Sequence, residues 1–294
     1  MDWWIVIRII LSGISFILNG LFLFVLARNK DLVKRKRITY HVASIAVADT
    51  LYGLGSFCFY IILLHRNEVT FETLLPFGMM FNVGILASQA AVLLMTIERS
   101  IVISKPLTWN EILPRRRMLL FMLCSWIAVV TLVAIIFYLL WYKNTERQGL
   151  IVLHVWSTLH TVLLLSAAAV NIYMFKKLQK NDGLADSHIS TRVIPQANAQ
   201  QTSMHLKRKA SKLVLLLAVM MIVTCLPTSL WNLITVICYL YKLHCNFQFN
   251  STILNVSLLL QNLNFILNPL VYIWKDRIYR NAFYRTFKIK TAQF

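Results

Sequence analysis

Asn262-Leu263-Asn264-Phe265-Ile266-Leu267-Asn268-Pro269-Leu270-Val271-Tyr272 decides how the rest of the chain is read. It is an apolar helical stretch carrying three asparagines and a proline where lipid would favour leucine. Proline has no N–H to donate and leaves a carbonyl open one turn earlier. In hydrocarbon, such open groups need partners from neighbouring helices, so the remaining chain is expected to supply a bundle around this segment. A basic, aromatic run from Trp274 to Lys290 follows directly.

The composition agrees. Of 294 residues, 58% are hydrophobic and 14% charged, against roughly 45–50% and 25% in an ordinary soluble domain. Apolar runs at about 5–26, 40–64, 75–103, 118–141, 150–175, 213–240 and 253–273 are each long enough to cross a bilayer. The expected fold is therefore an all-α membrane protein, a seven-transmembrane helix bundle over 1–274 with a C-terminal amphipathic helix and short tail over 275–294. The stretch 176–212 is polar, with Gly183 and Pro195, and reads as an inner linker.

Net charge is +19. A basic face of that size on a soluble fold would suggest nucleic acid, but here the charges alternate by loop. The loops 28–37, 104–117 and 176–212 and the C-terminal tail hold 24 Lys or Arg, whereas the N-terminal end and the other loops hold Arg8, Arg66, Lys143, Arg147 and Lys242. That bias places the basic loops in the cytoplasm, against anionic lipid, and the N-terminus outside. Nucleic acid is thus not an expected partner. The sequon Asn250-Ser251-Thr252 falls on the outer side, as glycosylation requires. Cys238 and Cys245 flank the same outer loop, and their spacing leaves bonded and free states open.

Several residues are costly in lipid. Asp49 lies among Ala, Val and Ile in the second span, where a carboxylate costs roughly 2.5–3.5 kcal/mol on insertion scales and marks a functional site. Asn19, in the first span, reads first as a helix-to-helix hydrogen bond. Glu98 and Arg99 end the third span, and Cys225-Leu226-Pro227 interrupts the sixth, where a kink is expected. Past Tyr272, Tyr279, Phe283 and Phe287 recur every four residues between arginines, as in an interfacial helix.

Taken together these residues resemble the rhodopsin-like (class A) family of G-protein-coupled receptors. The likeness rests on Asn19, Ala48-Asp49, Glu98-Arg99-Ser100, Trp126, Cys225-Leu226-Pro227 and Asn268-Pro269-Leu270-Val271-Tyr272. It implies an allosteric Na⁺ held by Asp49, Ser88, Asn264 and Asn268. It also implies an inner switch of Glu98, Arg99, Tyr173, Pro227, Asn268, Pro269 and Tyr272, in which the sixth helix swings outward to admit a heterotrimeric G protein. Plasma-membrane residence follows from the same resemblance; phosphorylation control is expected on Ser187, Ser190, Thr191, Thr202 and Ser203 of the third inner loop, with arrestin as a further partner. The chain departs from the family pattern at Ser100, Cys225, Gln89 and Met221. It has Leu74 in place of the outer-disulfide cysteine and no proline in the fifth span. In these two losses it is similar to the melanocortin, lysophospholipid and cannabinoid branch.

The expected ligand site is the outer half of the bundle, with Phe81, Asn82, Trp156, His160, Trp231, Asn232 and Gln261. This lining is aromatic or neutral polar and suits a neutral or lipid-like small molecule, or a small peptide. Some of these side chains are expected to be packing alone. Two other readings stand beside the receptor. One is a non-signalling, receptor-like partner protein, suggested by Ser100 and Cys225. The other is an ion or proton transporter using Asp49, Glu98 and Arg99. An enzyme is not expected, since the chain has no HExxH or GxSxG motif.

Overall fold

A computed structural model describes residues 3–35, 37–65, 71–105, 108–143, 146–188, 195–241 and 247–289. Its helices are α1 (Trp3–Arg28), α2 (Lys30–Arg35), α3 (Ile38–His65), α4 (Phe71–Ser104), α5 (Trp109–Ile112), α6 (Arg115–Lys143), α7 (Glu146–His188), α8 (Pro195–Leu240), α9 (Phe247–Lys275) and α10 (Arg277–Thr286). Seven of them, α1, α3, α4, α6, α7, α8 and α9, are long and apolar enough to span a bilayer. The protein is a multi-pass, all-helical membrane bundle.

The element boundaries differ most at the third inner segment. Where polarity predicts a linker over 176–212, α7 continues to His188 and α8 already begins at Pro195. Lys, Gln, Leu and Ala are good helix formers whatever their polarity, and proline is well placed at a first helical position. Short helices α2 and α5 likewise occupy parts of the first and second basic loops.

Helix α3 is clasped between α1 and α4. Glycines permit the approach: a Cβ at Gly53 would lie 2.6 Å from the backbone N of Phe16, and one at Gly84 would lie 2.5 Å from that of Tyr52. Close backbone contact of this kind is how helices associate where no hydrophobic drive exists between them. Helix α6 stands outermost, with Leu120, Leu123 and Ile127 exposed as a lipid-facing side requires. Its tie to the bundle includes Trp126, whose Nε1 donates to Ser44 Oγ at 2.9 Å.

Helix α9 runs unbroken through Pro269. The carbonyl that Pro269 leaves open, four residues earlier, is that of Phe265. Asn19 of α1 donates its Nδ2 to this oxygen at 2.8 Å and to Ser15 O at 3.0 Å. The expected helix-to-helix hydrogen bond of Asn19 is thus made, and on the group that proline exposes. Pro227 lies within α8 in the same manner, and next to it Thr228 Oγ1 donates to Ser257 O at 2.9 Å, fastening α8 to α9.

Helix α10 starts at an N-cap, Asp276, whose side chain accepts from Ile278 N at 2.9 Å. Its aromatic face is not wholly turned to lipid. Tyr279 is fully buried and packs with Phe22 and Tyr272, at ring separations of 5.8 and 6.2 Å. The period of four therefore marks one face of a helix, but the first aromatic on that face meets protein. Burial also pushes the Tyr279 phenol above its ordinary range, which keeps it protonated for its 3.1 Å hydrogen bond with Thr39 Oγ1.

At the other end, Cys238 is disulfide-bonded, and Cys245 lies outside the described residues. The backbone of Asn250 belongs to the first turn of α9 rather than to a loop, and its side chain is outside the description. So are the side chains of Ser187, Thr202 and Ser203, while Ser190 and Thr191 are outside it entirely.

Candidate functional site

The middle of the bundle holds the most expensive residue. Asp49 has no exposed surface, and its Oδ2 accepts from Asn268 Nδ2 at 2.8 Å. Ser88 lies beside the carboxylate and interacts with it through its side chain. Asp49 Oδ1, Asn264 Oδ1 and Gln89 Oε1 are buried oxygens without a hydrogen-bond partner among the described residues. Orphaned buried acceptors are rare in stable structures and point to an unseen water or ion. A donor set of one carboxylate and neutral oxygens is suitable for a hard monovalent cation. The residues expected to hold Na⁺ therefore fit that ion in chemistry, and Asn268 is tied directly to Asp49.

Toward the inner end, the adjacent residues Glu98 and Arg99 take separate paths. Glu98 is buried and pairs with His41 of α3, Nε2 to Oε2 at 2.7 Å, and with Arg37 Nε at 3.6 Å. His41 Nδ1 is buried without an acceptor, which suits a neutral imidazole donating from Nε2, with Arg37 as the counter-ion. Arg37 also donates to Asn110 Oδ1 at 2.9 Å and lies 4.6 Å from the Trp109 ring. One arginine thus joins the acid of α4 to the short helix α5. Arg99 is buried, its Nε has no hydrogen-bond partner among the described residues, and its charge is felt by Glu98 and Tyr279. His41 and Arg37 are missed by motif reading. Their i, i+4 spacing, Arg37 just before α3 and His41 in its first turn, is the signal that could have found them.

Tyr173 and Tyr272 are not brought to Arg99 as expected. Tyr173 is 53% exposed and shares a 3.1 Å hydrogen bond with Ser104 Oγ on the outside of the bundle. Tyr272 is buried against Phe22, 5.3 Å between ring centres, and its hydroxyl has no hydrogen-bond partner among the described residues. The aromatic packing of Tyr272 with Phe22 and Tyr279 holds its ring on the α1 and α10 side.

The expected ligand residues divide. Phe81 belongs to a run of aromatic contacts from Tyr60 through Phe59 and Phe81 to Tyr52 and Phe265. Trp156 packs edge-on against buried His160 at 4.9 Å, and Asn82 Nδ2 is spent on Gly78 O of its own helix at 2.7 Å. These three are thus engaged in packing or in their own helix. Trp231 and Asn232 are half-buried and Gln261 is buried.

A seven-span bundle with a buried acid fastened to the asparagine before a helical proline defines a receptor-type membrane protein. The family model "7 transmembrane receptor (rhodopsin family)" matches residues 18–272. The chain belongs to that family, whose members bind extracellular ligands and G proteins. No curated protein matches the chain by sequence.

Proposed function

We propose that this protein carries an extracellular ligand's signal to a heterotrimeric G protein, through outward movement of the inner half of α8 about Pro227. The ligand is a lipid-like small molecule or a small peptide, received among the aromatic side chains of the outer half. The observation that carries this reading is that Glu98 is shared: besides Arg99 it has His41 and Arg37 as partners. The acid is hydrogen-bonded by His41 and has Arg37 as a second cation, so the mostly buried Arg99 guanidinium at the inner end can be given up to an incoming helix.

An allosteric Na⁺ held by Asp49, Ser88, Asn264 and Asn268 belongs to the same reading, its support being the orphaned oxygens of Asp49 and Asn264. The ion would screen the Asp49 charge and hold α3, α4 and α9 together. On opening, Tyr173 and Tyr272 would leave their present positions and move in beside Arg99.

The test is a panel of G-protein dissociation assays in cells, comparing the native chain with Arg99→Ala at matched surface expression. The native chain is expected to give ligand-independent activation in at least one arm, because Arg37 shares Glu98 with Arg99, and Arg99→Ala to reduce it to background. Equal signals from the two chains in every arm would remove the proposal.

A further inference from the structure

Arg8 stands one turn and a half into α1, in the outer half of the bundle, and its side chain turns inward. One terminal nitrogen donates to Tyr60 OH of α3 at 3.3 Å, and the other hydrogen-bonds Asn255 Oδ1 of α9. The guanidinium carbon lies 5.3 Å from the Tyr60 ring centre, and Nε is buried without an acceptor. Every described partner of this cation is uncharged. An arginine placed only for topology would snorkel to the lipid head groups. Arg8 instead points between three helices, where a charge with no acid among its described partners is costly and marks a site for a counter-ion.

Two further features say what that counter-ion is attached to. The aromatic run from Tyr60 through Phe59 and Phe81 begins at the Arg8 partner itself, with ring separations of 5.4 and 5.4 Å. It offers an apolar course away from the charge. One turn below Arg8 along α1, Ser12 shares a 2.8 Å hydrogen bond with Ser56 and donates to Asn262 Oδ1 at 3.3 Å. The polar seam between α1, α3 and α9 then continues through Asn19 to Asp49 and Asn268.

We propose that Arg8, with Tyr60 and Asn255, forms the head-group site for an anionic amphiphile, a carboxylate on an apolar tail. The fork of Arg8 suits a planar carboxylate, which it can hold through two parallel hydrogen bonds. The head group displaces Asn255 or Tyr60 from the guanidinium, and the tail follows the aromatic run toward Phe81. Displacing Asn255 moves a residue of α9, the helix that also carries Asn262, Asn264 and Asn268. Occupancy is thereby communicated along the seam to Asp49. This deepens the receptor reading by naming the ligand class, but the binding itself requires no G protein.

The test uses the full chain in nanodiscs of uncharged-net phosphatidylcholine, with binding read by competition and by thermal midpoint. Oleate, oleyl alcohol and acetate serve as probes of head plus tail, tail alone and head alone. Oleate is expected to bind and raise the midpoint, with the alcohol and acetate each weaker by roughly tenfold or more. Arg8→Gln should weaken oleate by a similar factor, and Arg8→Lys should restore part of it. Asn255→Asp provides an internal counter-ion, so it should raise the ligand-free midpoint while weakening oleate. This variant keeps the test decisive if Arg8→Gln does not fold. Equal binding of oleyl alcohol, oleate binding unchanged by Asn255→Asp, or no oleate binding to the native chain would each overturn the proposal. Because no G protein is present, those outcomes are independent of whether the receptor couples.

Discussion

Replacing Asn19 by leucine is expected to destabilise the bundle by about 1–2 kcal/mol, and replacing Pro269 by alanine in the same chain to remove most of that loss. The reason is one carbonyl. Pro269 cannot donate to Phe265 O, so Asn19 Nδ2 does, across 2.8 Å from α1. With alanine at 269 the helix restores its own N–H, and the oxygen no longer depends on α1. A double-mutant cycle, read by unfolding in mixed micelles of rising dodecyl sulfate fraction, isolates this term. Losses that simply add would show that Asn19 stabilises by packing and not by serving the open carbonyl.

His41→Phe should have the second large effect, about 2–3 kcal/mol, because it leaves the buried Glu98 carboxylate with only Arg37 at 3.6 Å. Glu98→Gln should be milder, since an amide oxygen still accepts from His41 Nε2 while the charge that needed Arg37 is gone. The two variants differ also at a distance. Glu98→Gln loosens Arg37, so amide exchange should rise over α5, which Arg37 holds through Asn110 and Trp109. Exchange in α5 unchanged by Glu98→Gln, or a stability loss equal to that of His41→Phe, would show that the hydrogen bond and the ion pair have been assigned the wrong weights.

Much of the bundle's middle is legible in the sequence because lipid makes every polar residue declare a need. Asp49 is answered by Asn268, and the position of Pro269 names the carbonyl that Asn19 serves. The inner end is harder to read. Glu98 and Arg99 look like a pair on paper, but neighbours on a helix project about 100° apart and do not face each other. Glu98 therefore gains His41 of α3 and Arg37 just before it, partners that the adjacent Arg99 does not announce. Charge counting conceals the rest: Arg8 and Arg37 enter the topology argument as loop or end charges, though both turn inward to named partners. The amphipathic period at Tyr279, Phe283 and Phe287 fixes a helical face, but whether that face meets lipid or protein depends on Phe22 and Tyr272, far away in sequence.

The outer half is the least legible part. Phe81 is read as a ligand contact and lies in the aromatic run beside Tyr60, yet Trp156 and His160 pack on each other and Asn82 serves its own helix. Aromatic and amide side chains are as useful for packing as for binding, and periodicity does not separate the two uses. The buried seam is more decisive, since orphaned oxygens at Asp49 and Asn264 call for a specific kind of partner.

The thermal midpoint of the purified full chain, measured in NaCl and in an N-methylglucamine chloride buffer of equal ionic strength, examines that partner directly. NaCl is expected to raise the midpoint of the native chain by several degrees, and Asp49→Asn to abolish the difference, by linkage of ion binding to folding. Equal midpoints for the native chain in the two salts would contradict a cation site at Asp49.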